Sequence, residues 1–216
     1  MTTASPLPTE TRYYKFLDAN QTGRHSQKQL PIGEWIVIDG PLEMCLNGIH
    51  VTTIDNAPQW LDECAHVVEI RGERIVGDNK TCCREVFIHP ALPAWDRAAA
   101  LRWAADCAEH VLHIYEAKYP GDDRPRKAIE AARSGDAKRA RDAAYAAYAA
   151  ADAAYAAYAA AYAYAAAYAA AAANAANAAA YAANAAANAA YAAADDAAER
   201  RWQSERLSAL LHGGAE

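Results

Sequence analysis

The sequence predicts an α+β fold: a small mixed α/β domain over residues 11–90, followed by an all-α domain with long Ala-rich antiparallel helices over residues 91–212. Three observations predict it. Short apolar runs with period-two alternation, broken by Gly, Asn and Pro, fill the first part. From residue 94 the apolar period becomes helical. Residues 143–194 are then Ala throughout, interrupted by nine Tyr, four Asn and one Asp. Ala is the best intrinsic helix former, so helix is the least costly backbone state for that tract.

Residues 1–10, with Pro6 and Pro8, read as a flexible lead-in, and residues 213–216 as a tail. Strands are expected at residues 13–17, 34–39, 48–53, 66–71 and 84–88. The clearest is 34–39, where Trp35 and Val37 alternate with Ile36 and Ile38. Turn residues separate the runs: Gly40-Pro41, Asn47-Gly48, Gly72 and Gly77-Asp78-Asn79. A short helix capped by Asp55 or Asn56, with Pro58 in its first turn and Trp60, Leu61 and Cys64 on its apolar side, interrupts the set. His89-Pro90 and Pro93 mark a boundary.

Beyond it, Trp95, Ala98, Leu101, Ala105, Ala108, Leu112 and Tyr115 line one side of a helix that Tyr119-Pro120-Gly121 stops. Asp122 or Asp123 opens a shorter helix running to Arg133, and Asp136 opens the one that enters the Ala tract. As one rod the tract would span roughly 78 Å at 1.5 Å per residue. Asn174, Asn177, Tyr181, Asn184, Asn188, Tyr191 and Asp195 step alternately by three and four, a seam along one helical face. The stripe of Tyr145, Tyr148, Asp152, Tyr155 and Tyr162 is similar, while Tyr164 and Tyr168 fall on the opposite side. That change of register fits a hairpin or a single bent helix. A terminal helix then carries Trp202, Leu207, Leu210 and Leu211 as a docking face.

A net charge of −6 and a pI near 5.6 argue against nucleic acid as a partner. The polar stripe through the Ala tract argues against a membrane span. No signal peptide is visible, and five Cys without framework spacing fit reduced thiols in the cytoplasm. Cys45, His50, Cys64, His66, Cys82, Cys83 and His89 match no standard ligand pattern, so no metal and no cofactor is expected.

Two stretches bear a resemblance to known families. Residues 100–150 resemble the helical immunity proteins of bacterial polymorphic toxin systems, most specifically at Tyr119-Pro120 and Asp122-Asp123-Arg124-Pro125-Arg126-Lys127-Ala128-Ile129-Glu130-Ala131-Ala132-Arg133. The resemblance implies an all-α domain and a role in toxin neutralisation. Tyr14-Lys15-Phe16, Leu30-Pro31-Ile32-Gly33-Glu34-Trp35, Cys45-Leu46-Asn47-Gly48-Ile49-His50-Val51 and Val67-Val68-Glu69-Ile70 resemble a small uncharacterised domain of bacteriophage proteins.

The expected function is non-catalytic: binding and neutralising a protein partner, a toxin or defence component, in bacterial or phage conflict. Tyr145, Tyr148, Tyr155, Tyr181, Tyr191, Asn184 and Asn188 are the candidate contacts, since Tyr is enriched in binding hot spots. A homo-oligomer is compatible with the same surface. The rival is a nucleotide-ligand binder or enzyme. Gly48-Ile49-His50-Val51 before a capped helix is similar to the nicotinamide-binding region of ADP-ribosyltransferases, which would place Tyr13, His50 and Glu85 in one cleft. A third reading is a helical spacer in an assembly. Arg124, Arg126 and Lys127 either bind an anion or pair with Asp122, Asp123 and Glu130.

Overall fold

The structure is a computed structural model and describes residues 11–23, 28–134 and 196–213. Five strands form one antiparallel sheet: β1 (Tyr13–Leu17), β2 (Trp35–Val37), β3 (Ile49–Thr53), β4 (Cys64–Val76) and β5 (Thr81–Ala91). Their order is β2-β5-β3-β1-β4, and β4 also pairs with β5. That last ladder closes β1, β3, β5 and β4 into a four-stranded barrel, with β2 added alongside β3 on the same edge of β5. Closure removes exposed edges from the four longer strands.

Closure depends on the length of β4 and β5. The expected strands, 66–71 and 84–88, cover only the first half of β4 and the middle of β5, whereas the ladder runs from His66↔Ala91 to Val76↔Thr81. The outer half of β4 is charged and exposed, so alternation is weak there, and continuous pairing alone carries the strand onward. Gly72 sits at φ +73 where the register shifts between Arg71 and Arg74, a bulge that bends the hairpin. β5 runs through the expected boundary at His89-Pro90 and ends at Ala91.

Alternation along β1 sorts its side chains onto two faces. Tyr13 and Leu17 join Leu30, Ile49, Val51, Val68, Cys83, Val86 and Ile88 in one apolar cluster. Tyr14 and Phe16 join a second cluster together with Ala57, Leu61 and Ala65. The rest of that second cluster is helical.

Four α-helices are present among the described residues: α1 (Arg97–His110), α2 (Leu112–Lys118), α3 (Arg124–Arg133) and α4 (Asp196–Leu211). Asp96 caps α1, its carboxylate accepting from the Ala99 N–H at 2.7 Å. Trp103, Ala104, Cys107, Val111, Ile129, Leu207 and Leu211 are buried with the β1 and β4 side chains in one core.

The expected fold class is therefore corrected on two counts. The described helices do not form an all-α unit of long antiparallel rods; they span 7 to 16 residues and cover the apolar outer face of the barrel. The physical reason lies in the strands, because Tyr14, Phe16 and Ala65 present an apolar face that has to be covered. The first part is likewise a closed antiparallel barrel, with no α-helix among its described residues. The helix expected from Asp55 is a 3-10 turn at Ile54–Gln59, with Pro58 inside it supplying no backbone donor. The Ala tract, with its predicted hairpin or bent helix, lies outside the described residues.

Candidate functional site

β1 and β3 pair only at Tyr13↔Thr53 and Tyr14↔Thr52. Past those positions the two strands part, and a cavity of about 360 Å³ opens beside the split. Lys15, His50, Thr52, Trp60, Lys80 and Cys45 line it, with Phe16 and Leu46 as apolar wall. Its size falls within the range of small-molecule sites.

Each side chain is held by the local fold. Lys15 lies on the same face of β1 as Tyr13 and Leu17, and its Nζ donates to the His50 carbonyl at 2.8 Å. Trp60 follows the 3-10 turn, and its Nε1–H donates to the Asn79 carbonyl at 3.0 Å. Lys80 ends the β4–β5 turn closed by the Gly77 N–H on the Lys80 carbonyl, and its Nζ stands 5.0 Å from the centre of the Trp60 ring.

The loop before β3 is fixed from several sides. The Asn47 amide donates to the Asp39 and Pro41 carbonyls at 2.9 and 2.8 Å. Cys45 adopts φ +68, and its N–H donates to His50 Nε2 at 3.0 Å. Nε2 is therefore the unprotonated nitrogen and the proton sits on Nδ1. Gly48 stands at φ +143 against Cys82; a β-carbon there would lie 2.2 Å from the Cys82 Sγ and 2.9 Å from Leu42. Only glycine fits.

The cavity is electropositive. Burial, then the neighbouring Lys80, pulls the Lys15 ammonium down to about 8. Burial, then Lys80 and Lys15, pulls His50 down to about 4, so the imidazole is neutral. Burial pushes the Cys83 thiol up to about 11 and raises that of Cys82, which leaves both protonated and poor nucleophiles. No group of three or more His, Cys, Asp or Glu is placed to hold a metal ion among the described residues.

The residues singled out in the sequence fall in different places. Of Tyr13, His50 and Glu85, only His50 lines the cavity. Tyr13 packs against the first apolar cluster, and Glu85 accepts from Arg71 Nε at 2.5 Å across β4 and β5. Arg124 donates to Asp122 through Nε at 2.7 Å, Arg126 to Glu116 at 2.6 Å, and Lys127 to Asp123 at 2.8 Å. All three cations are engaged by acids around the start of α3. Tyr145, Tyr148, Tyr155, Tyr181, Tyr191, Asn184 and Asn188 lie outside the described residues. Lys15, Lys80 and Trp60 were not singled out as site residues. One signal was readable: Lys15 interrupts the buried Tyr13–Leu17 face of YYKFL.

The helices are tied by a separate set of polar groups. The Asp106 carboxylate accepts from Arg133 Nη2 at 2.7 Å and from Arg206 Nε at 2.8 Å, linking α1 to both α3 and α4. The buried Glu199 carboxylate meets His110 Nδ1 at 2.6 Å and the Gln203 amide at 3.0 Å, while His110 stacks on Trp202 at 3.8 Å. Trp103 donates from α1 to the Gln203 carbonyl at 3.2 Å.

These contacts define a helical module, tied by ion pairs and by the buried Glu199 carboxylate, that is carried on a small antiparallel barrel. Residues 92–210, which take in α1, α2, α3 and all but the last residue of α4, match the family described as Imm-5 like putative immunity protein, and the chain belongs to that family. No curated protein and no solved structure matches the chain. Among the described residues, no helix is long and apolar enough to cross a membrane.

Proposed function

We propose that this protein neutralises a protein partner by binding it, a toxin or defence component met in bacterial or phage conflict. The observation that carries the reading is membership of the immunity-protein family over residues 92–210, more than half of the chain. The tied helices support it. Asp106 and Glu199 hold α1, α3 and α4 in one arrangement, and a preformed frame binds with less ordering cost than a loose one. On this proposal the Tyr and Asn stripe of Tyr145, Tyr148, Tyr155, Tyr181, Tyr191, Asn184 and Asn188 supplies contact residues. The protein acts in the cytoplasm, where its five free cysteines stay reduced.

The test is growth. Toxic proteins encoded beside this gene are expressed from an inducible promoter with and without the full chain. Restored growth against one of them, lost when Tyr181 and Tyr191 are both changed to Ala, is the expected result. Failure to protect against any of them would overturn the reading.

A further inference from the structure

The split between β1 and β3 holds two ammonium groups, Lys15 and Lys80, in one cavity. Among the described residues, neither is matched by a carboxylate at ion-pair distance: Lys15 Nζ is recorded only on the His50 carbonyl, and Lys80 Nζ only over the Trp60 ring. Other half-buried cations of the barrel and helices are matched; Arg84 has Glu73, Arg133 has Asp106 and Glu109, and Arg206 has Asp106. Two like charges sharing a partly desolvated cavity are unfavourable unless an anion joins them.

We propose that this cavity binds a small phosphomonoester, its phosphate between Lys15 and Lys80 and its organic part against Trp60, Phe16 and Leu46. Charge selects phosphate over carboxylate. A phosphomonoester carries about −1.5 to −2 at neutral pH, enough for both ammonium groups, whereas a carboxylate carries one charge and leaves an ammonium unmatched. Hydrogen-bond capacity agrees. Lys15 spends one of its three N–H donors on His50, and His50 keeps Nδ1–H without a protein acceptor among the described residues. Burial first, and the neighbouring Lys80 second, pull Lys15 down to about 8, and an anion bound there would oppose that drop. The cavity is also built before the ligand arrives: Asn47 and Gly48 fix the loop on one side, and the Trp60–Asn79 bond fixes the turn on the other. This inference is independent of the partner-binding reading, since it rests on the barrel alone.

The test is calorimetric titration of the full chain with AMP, inorganic phosphate and benzoate at constant ionic strength. AMP should bind saturably, phosphate more weakly, and benzoate at least tenfold more weakly than AMP. Lys80→Met and Lys15→Met should each weaken AMP at least tenfold, and Lys127→Met, whose partner is Asp123, should not. Lys80 ends a surface turn, so its replacement remains informative if the half-buried Lys15 variant fails to fold. Saturable binding of AMP that Lys80→Met leaves unchanged would overturn the proposal. So would benzoate binding as tightly as AMP, or no saturable binding of either phosphate probe.

Discussion

Gly48 and His50 show how one short strand entrance sets the character of the cavity. Gly48→Ala adds a β-carbon 2.2 Å from Cys82 Sγ at a backbone angle of φ +143. Backbone strain of about 1–3 kcal/mol and overpacking of a similar size both follow. The expected outcome is a clear loss of thermal stability, whereas Gly33→Ala, in open space though also at positive φ, should cost only its backbone part. Differential scanning calorimetry of the two variants checks this. The titrating groups give a second expectation. His50 titrates near 4 in the folded chain against an ordinary 6.5, so between those values the unfolded chain holds the extra proton. Stability should therefore fall as pH drops from about 6.5 towards 4. His66 and His212, lowered chiefly by burial, act in the same direction. Asp122, held well below the usual carboxylate range by Arg124, adds stability that is lost at still lower pH. Lys15, near 8 against 10.5, makes the chain more stable as pH rises across that interval. Denaturant titrations from pH 4 to 10 read the slopes; a flat profile between 4 and 6.5 would contradict the buried neutral imidazole.

The elements differ in how far their own residues announce them. Strand β1, the start of β3 and the short helix α3 were legible because alternation, Gly48 and the Tyr119-Pro120-Gly121 stop act locally. The length of β4 and β5 was not, because the exposed half of that hairpin has the composition of a loop and is held by its ladder. The break between α1 and α2 at Val111 was also hidden, since Val111, Leu112 and Tyr115 keep the apolar period through it. Pairing of the cavity lysines across β1 and the β4–β5 turn depends on barrel closure, which no local pattern carries. Tertiary ties between the helices were equally silent: Asp106, Arg133 and Arg206 lie far apart in the chain. Asp106→Ala removes both ion pairs and leaves two arginines without that partner. A loss of about 1–3 kcal/mol is expected, with Asp106→Asn milder. Chemical denaturation measures it, and an unchanged midpoint would show that the two bonds are solvent-screened surface pairs.

At the scale of the whole molecule, one buried cluster joins the outer face of the barrel to α1, α3 and α4. Trp103 is its largest fully buried side chain and bridges to α4 through the Gln203 carbonyl. The sequence divided the chain by composition, and composition follows the type of element rather than the packing partner. Tyr14 and Phe16 look like ordinary strand residues, yet they sit in the buried cluster that the helices complete. The family match over residues 92–210 covers the helical part and fits an immunity role, and the cationic cavity lies outside that span, on the barrel. Neutralisation by binding makes a quantitative demand that an enzymatic mechanism does not. Titrating a fixed amount of the active toxic protein identified by growth rescue with purified full chain tests it most directly. Binding predicts inhibition that saturates at a fixed molar ratio; inhibition completed by a small fraction of that amount, or activity untouched at excess, would contradict it.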